Sequence, residues 1–165
     1  MKERFFEKIS FNQFKKDISS DEELYNSYEL PKRKTKYSAG YDFIAINDFE
    51  LKPNEIIKIP TGIKAKFLDN EFLMLAVRSS MGFKFNVRMC NQVGIIDSDY
   101  YNNKENEGHI WIALQNQGDL TYKVSKGDGI CQGIFIKYYT CDDVVEKERT
   151  GWSWNSNKEG EDNNE

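Results

Sequence analysis

Long hydrophobic runs are missing from this sequence. The longest unbroken apolar stretch is Phe72–Val77, against the roughly 20 residues that carry a helix across a bilayer. The N-terminal stretch MKERFFEKIS is charged where a signal peptide would be apolar, and it has no small-residue cleavage site. An excess of positive charge is missing too. With 23 Lys and Arg against 27 Asp and Glu, the formal net charge is -4. Such a chain lacks the basic face with which a nucleic-acid binder displaces counterions. Cysteine is scarce: Cys90, Cys131 and Cys141 are odd in number and have no CxxC spacing. They read as reduced thiols. The expectation is a soluble, cytoplasmic protein with no membrane partner and no nucleic-acid polymer as ligand.

What is present suffices for a core. Hydrophobic residues make up 39% and aromatic residues 14% of the chain, which excludes wholesale disorder. At roughly 100–200 residues per domain, 165 residues fit a single one. Residues 3–9 read as a first strand. Ser10 and Gln13 form a capping-box pattern before Phe11, Phe14 and Ile18, which predicts a short helix near 11–18. A second capping signal at Ser20–Glu23 predicts another near 21–28, and Leu30-Pro31 ends this helical insertion.

From Tyr41 the pattern changes to short strands separated by turn residues. The strands expected are 41–46, 55–59, 62–67, 71–78, 93–96, 109–115, 120–124 and 130–137. Many short strands with closely spaced turns predict an all-β sandwich, barrel or jelly roll. There is no internal repeat. Residues 101–108 read as an exposed loop and 155–165 as a polar tail.

Five segments could carry chemistry. In Ser38-Ala-Gly-Tyr-Asp42-Phe, Asp42 opens a strand and Gly40 permits close backbone approach; an ordinary loop-capping Asp reads the same way. Arg78-Ser79-Ser80-Met81-Gly82 follows the most apolar strand. Its hydroxyls, turn amides and guanidinium suit phosphate, although a plain polar turn would also close the strand. In Asn91-Gln-Val-Gly94-Ile-Ile-Asp97-Ser-Asp99-Tyr100, an extended backbone would put Asp97 and Asp99 on one face. Asp97 could then accept a proton from water, with a cation or polarising groups lowering the rest of the barrier. Lys126-Gly-Asp-Gly-Ile-Cys-Gln132 carries a hairpin signal, and Gln132 is its one candidate for ligand contact. Arg149-Thr-Gly-Trp-Ser-Trp154 puts two tryptophans in a polar terminus, where they should dock on something.

Taken in order, these segments resemble the five motifs of the homotrimeric dUTP diphosphatases (dUTPases), from about Leu30 to Gly151. The most specific is Gly-Ile-Ile-Asp-Ser-Asp-Tyr at 94–100. The resemblance implies a β-clip or jelly-roll fold over residues 1–148, carrying the helical insertion, and a flexible C-terminal arm at 149–165. It implies a trimer with active sites at its interfaces, and cleavage of dUTP to dUMP and pyrophosphate with Mg2+. By that likeness Asp97 is the base that activates water. Tyr100 presses on the deoxyribose, and Asn91 and Gly94 belong to a hairpin that reads uracil. Arg78, Ser79, Ser80 and Gln132 hold the phosphates or the metal's water shell, Arg149 also binds substrate, and Asp42 supports the metal through water. The fifth segment keeps Arg149 and Gly151, then places Trp152-Ser153-Trp154 where the family pattern has Gly-Phe-Gly. The alternatives are a non-catalytic nucleotide-binding or regulatory module of the same likeness and a related dCTP deaminase; Asp97-Ser-Asp-Tyr100 is the diphosphatase form of its segment.

Overall fold

Strict alternation of burial along Glu71-Phe-Leu-Met-Leu-Ala marks the strand on which the molecule is built. Leu73 and Leu75 are buried in the core, in the same cluster as Phe43, Ile130 and Cys131. The structure, a computed structural model, describes residues 1–151. It is mostly β. In chain order the elements are β1 (Phe5–Lys8), α1 (Phe11–Asp17), α2 (Glu22–Ser27), β2 (Tyr41–Ile44), β3 (Phe49–Leu51), β4 (Ile56–Pro60) and β5 (Ile63–Lys66). They continue with β6 (Glu71–Ala76), α3 (Ser79–Phe85), β7 (Val87–Met89), β8 (Gly94–Asp97), a 3-10 turn (Ser98–Tyr100), β9 (Trp111–Asn116), β10 (Tyr122–Val124) and β11 (Gly129–Lys137). The strands form four small antiparallel sheets, ordered β1-β5, β10-β3, β2-β11-β6-β8 and β4-β9-β7.

The helical insertion forms where its capping residues predict, with one change of partner. Ser10 caps α1 by accepting from the Gln13 N–H at 3.1 Å. The reciprocal half of the capping box does not form: the Ser10 N–H goes to Glu107, and the Gln13 amide turns to Asp17. Asp21, not Ser20, caps α2. Phe14 anchors the insertion to the core, stacked on Tyr28 and edge-on to Tyr25.

Four expectations need correction. Arg78 to Gly82 is not a turn; Ser79 begins α3, held down by the buried Met81 and by Phe85 against Tyr122. Gly127-Asp128-Gly129 does not close a hairpin, because β10 pairs with β3 while β11 pairs with β2 and β6. It passes the chain between sheets, with Gly127 at φ +91. Residues 90–93 likewise connect strands of different sheets, since β7 pairs with β9 and β8 with β6. Residues 101–108 are not simply an exposed loop. Asn103 is buried and replaces missing backbone partners, donating to the Tyr100 carbonyl at 2.7 Å and accepting from the Glu105 and Asn106 amides at 3.0 Å.

Candidate active site

The centre of the four-stranded sheet is β11, and its register aligns the first cluster. Gln132 lies opposite Asp42 on β2 and opposite Ala76 on β6, so three strands meet in one row. Two residues past Ala76 the chain reaches Arg78, still extended, and then enters α3. Ser38, Asp42, Arg78, Ser79, Ser80 and Gln132 thereby line one cavity of about 430 Å³, a size typical of small-molecule sites. Asp42 sits between two cations: Arg78 Nε is 3.3 Å from Oδ1 and Lys34 Nζ is 3.8 Å from Oδ2. The Gln132 amide donates to the Val77 carbonyl at 3.2 Å.

Two glycines make room for these side chains. A Cβ on Gly40 would overlap Gln132 Oε1, and a Cβ on Gly129 would overlap the Arg78 guanidinium. Gly129 is therefore fixed by the path of Arg78, and any larger residue would displace it.

The second cluster lies at the far end of β8. The strand stops at Asp97 and tightens into the 3-10 turn, so the period-two argument for Asp97 and Asp99 fails. Both carboxylates nevertheless reach one group. Arg149 Nη2 lies 2.7 Å from Asp97 and Nε 2.6 Å from Asp99. Their side chains are 53% and 58% exposed. Tyr100, next in sequence, is buried, and its hydroxyl donates to the His109 carbonyl at 2.7 Å. Burial pushes that phenol above its ordinary pKa, so it is neutral and remains a donor. Gly94 opens β8 buried against Leu75, and Asn91 is exposed in the β7–β8 connection.

The two clusters do not meet within one chain. Asp97 is registered opposite Phe72. Arg78 lies six residues further along the same extended segment, about 20 Å at the usual strand rise. None of Asn91, Gly94, Asp97 and Tyr100 lines the cavity. Trp152, Ser153 and Trp154 fall outside the described residues.

Sequence reasoning missed Lys34, which also lines the cavity. The dense run of basic residues in Lys32-Arg33-Lys34-Thr35-Lys36, just before Ser38, is a signal for it. Also missed is the pairing of Asp17 with His109 Nδ1 at 2.6 Å. No local pattern announces that contact, because the two residues are 92 positions apart.

The similarities to known proteins cover most of the chain. A family model for dUTPase matches residues 26–160. The deoxyuridine 5'-triphosphate nucleotidohydrolase of Lactococcus lactis is 41% identical over 125 residues, 74% of this chain and 83% of that protein. Its Haemophilus influenzae counterpart is 35% identical over 119 residues, 70% of this chain and 75% of that protein. The crystal structure of dUTPase from Streptococcus mutans superposes with a TM-score of 0.66 at 38% identity, covering 84% of this chain and 98% of that one. The fold is shared as well by a mutant dUTPase from phage phi11 of S. aureus, described with a structural Mg(II) ion, at a TM-score of 0.62 and 19% identity over 87% and 97% of the two chains. On these matches the chain belongs to the dUTPase family.

Proposed function

We propose that this chain hydrolyses dUTP to dUMP and pyrophosphate, with Asp97 as the base that activates water for attack at the α-phosphorus. Family membership supplies the reaction, the likeness of the motif segments supplies the roles of individual residues, and the geometry supports that reading. The observation that carries it is the division of charge. Cations and hydroxyls surround one cavity, and an exposed carboxylate stands free of it at the end of β8. Asp97 takes a proton from water, the water oxygen bonds to the α-phosphorus, and the bond to the bridging oxygen breaks as pyrophosphate leaves. Arg78, Ser79, Ser80 and Gln132 hold the phosphate oxygens, and Arg149 joins them once it leaves Asp97. Asn91 and Gly94 present backbone and side-chain partners to uracil. Tyr100 packs against the deoxyribose and leaves no room for a 2′-hydroxyl.

The donor set also fits Mg2+ carried in on the triphosphate. Beside the cavity stands one carboxylate, Asp42, among cations and hydroxyls. Among the described residues no group of three His, Cys, Asp or Glu is placed to hold a metal. An ion that keeps most of its water and takes phosphate oxygens needs only such a single carboxylate, reached through water. When bound, it neutralises charge on the phosphate oxygens.

One site needs more than one chain. Asp97 and Arg78 must both touch a single nucleotide, and their separation within a chain supports a site shared between neighbouring chains, in keeping with the homotrimer that the family resemblance implies. Residues 1–148 then act as the β domain and 149–165 as an arm. Three free cysteines accord with a cytoplasmic setting. Among the described residues no helix is long and apolar enough to cross a membrane.

The test is pyrophosphate release across dUTP, dTTP, dCTP and UTP with Mg2+, for wild type and Asp97→Ala. Fast release from dUTP that the substitution abolishes is expected. Equal inertness of both proteins, with dUTP still bound, would make the chain a binding module. Ammonia from dCTP would make it a deaminase.

A further inference from the structure

We propose that Asp17 and His109 form a positioning pair that sets the Tyr100 hydroxyl, making the N-terminal helical insertion part of the machinery that selects deoxyribose. The proposal rests on the dUTPase reading above, in which Tyr100 faces the sugar.

His109 is the only histidine of the chain and is fully buried. Both ring nitrogens are used. Nε2 accepts the Gly62 N–H at 2.9 Å, so it carries no proton. The proton is therefore on Nδ1, which donates to Asp17 Oδ2 at 2.6 Å. The Gln13 amide donates to the same oxygen at 2.8 Å. The ring can neither flip nor change tautomer without losing a buried partner.

Asp17 is the last residue of α1, and the first turn of that helix is tied to the same segment. The Glu107 carboxylate accepts the Ser10 N–H at 2.9 Å and the Ser10 hydroxyl as well. Lys64 approaches Glu107 at 3.2 Å and completes the anchor. Both ends of α1 thus grip residues 107–109.

What that grip holds is the phenol of Tyr100. Its hydroxyl donates to the His109 carbonyl at 2.7 Å and accepts from the Asn106 amide at 2.9 Å. Tyr100 directly follows Asp99, which with Asp97 holds Arg149. The chain of contacts runs from α1 through His109 to the segment that carries the candidate base.

The test uses the full-length chain and measures kcat and KM for dUTP and for UTP. In Asp17→Ala the ratio of the two kcat/KM values should fall by about tenfold, the worth of one lost hydrogen bond of this kind. The loss should lie mainly in discrimination against UTP. Asp17→Asn, which keeps an oxygen for the Nδ1 proton, should restore the ratio to within about twofold. Asn106→Ala loosens the same hydroxyl without touching α1 and should lower the ratio in the same way, which covers an Asp17→Ala chain that fails to fold. A folded Asp17→Ala or Asn106→Ala protein that hydrolyses dUTP and rejects UTP as wild type does would overturn the proposal. If wild type releases no pyrophosphate from dUTP, the dUTPase reading fails by itself. Calorimetric binding of dUMP against UMP then reads the same ratio, and equal ratios in wild type and Asn106→Ala would overturn the pair.

Discussion

Arg149 closes on Asp97 across 52 positions of sequence, with Nη2 2.7 Å from Oδ2, while its Nε holds Asp99 at 2.6 Å. One guanidinium serves two carboxylates. A triphosphate is a stronger acceptor than either, and on the proposed function drawing Arg149 towards it would release Asp97 for work as a base. Both carboxylates are more than half exposed, so each ion pair contributes at most about 1 kcal/mol to stability. Arg149→Ala should therefore shift the melting temperature by only a few degrees while raising KM for dUTP by about tenfold. Arg149→Lys should recover little of this, because an ammonium cannot span both partners as a fork does. Initial rates beside a thermal melt check the prediction; an unchanged KM with a large drop in melting temperature would make Arg149 structural.

The glycines offer a sharper contrast. Gly40→Ala would push Gln132 off the Val77 carbonyl, and Gly129→Ala would displace the Arg78 guanidinium. The nearest obstacle is the Gln132 amide at Gly40, with its Cβ close behind at 3.1 Å, and the Arg78 guanidinium at Gly129, so the fold should persist while KM rises several-fold. Gly82, inside α3, has nothing within 4 Å of a would-be Cβ. Alanine there should stabilise the chain by about 0.5–1 kcal/mol through helix propensity. Urea titrations and dUTP kinetics on the three variants separate the effects. Losses of stability at Gly40 and Gly129 as large as those of core cavities would contradict the assignment.

These contacts show which parts of the molecule can be read from the chain. Ser10 and Phe14 announce α1 because a cap and a helical apolar spacing are local signals. Leu73 and Leu75 announce β6 by alternation. Asp42, Arg78 and Gln132 stand out as separate candidates, and the register of β2, β11 and β6 supplies what no single segment contains: the row that joins them. α3 escapes a local reading because Ser79, Ser80 and Gly82 are poor helix formers; contacts from Met81 and Phe85 outweigh that local preference. The 101–108 segment looks solvated because its polarity is real. Asn103 and Asn106 spend that polarity on the backbone and on Tyr100 rather than on water.

Acid should loosen the brace between α1 and the 107–109 segment. Burial holds the His109 imidazole below its ordinary 6.5, against the opposing pull of Asp17 and Glu107. The folded chain thus binds this proton less readily than the unfolded chain. Its contribution to stability is complete above pH 6.5 and declines as the pH falls below that value. Burial pushes the Glu107 carboxyl up, but its bonds from Ser10 and the Lys64 ammonium outweigh burial and leave it below the ordinary 4.5. Its contribution is present above that value and is lost at more acid pH, so the two groups act in the same direction. Urea midpoints should fall between neutrality and about pH 5, and His109→Gln should flatten the upper part of that fall. A wild-type midpoint that rose on acidification would contradict this direction.

The separation of Asp97 from Arg78 makes the last prediction, because two damaged chains should repair each other. On the proposed function Asp97→Ala removes the base and Arg78→Ala removes a phosphate ligand, so each variant alone should be nearly inactive. When the two chains are unfolded together, mixed in equal amounts and refolded, a site can draw Asp97 from one chain and Arg78 from its neighbour. With random assortment about one quarter of the sites then carry both native residues, since each of the two contributing positions is filled by the right chain half the time. Pyrophosphate release should recover to roughly that fraction of wild type, with the mixed oligomer identified by mass. If a single chain instead built its own site, every site in the mixture would still carry one of the two defects, and mixing would recover nothing.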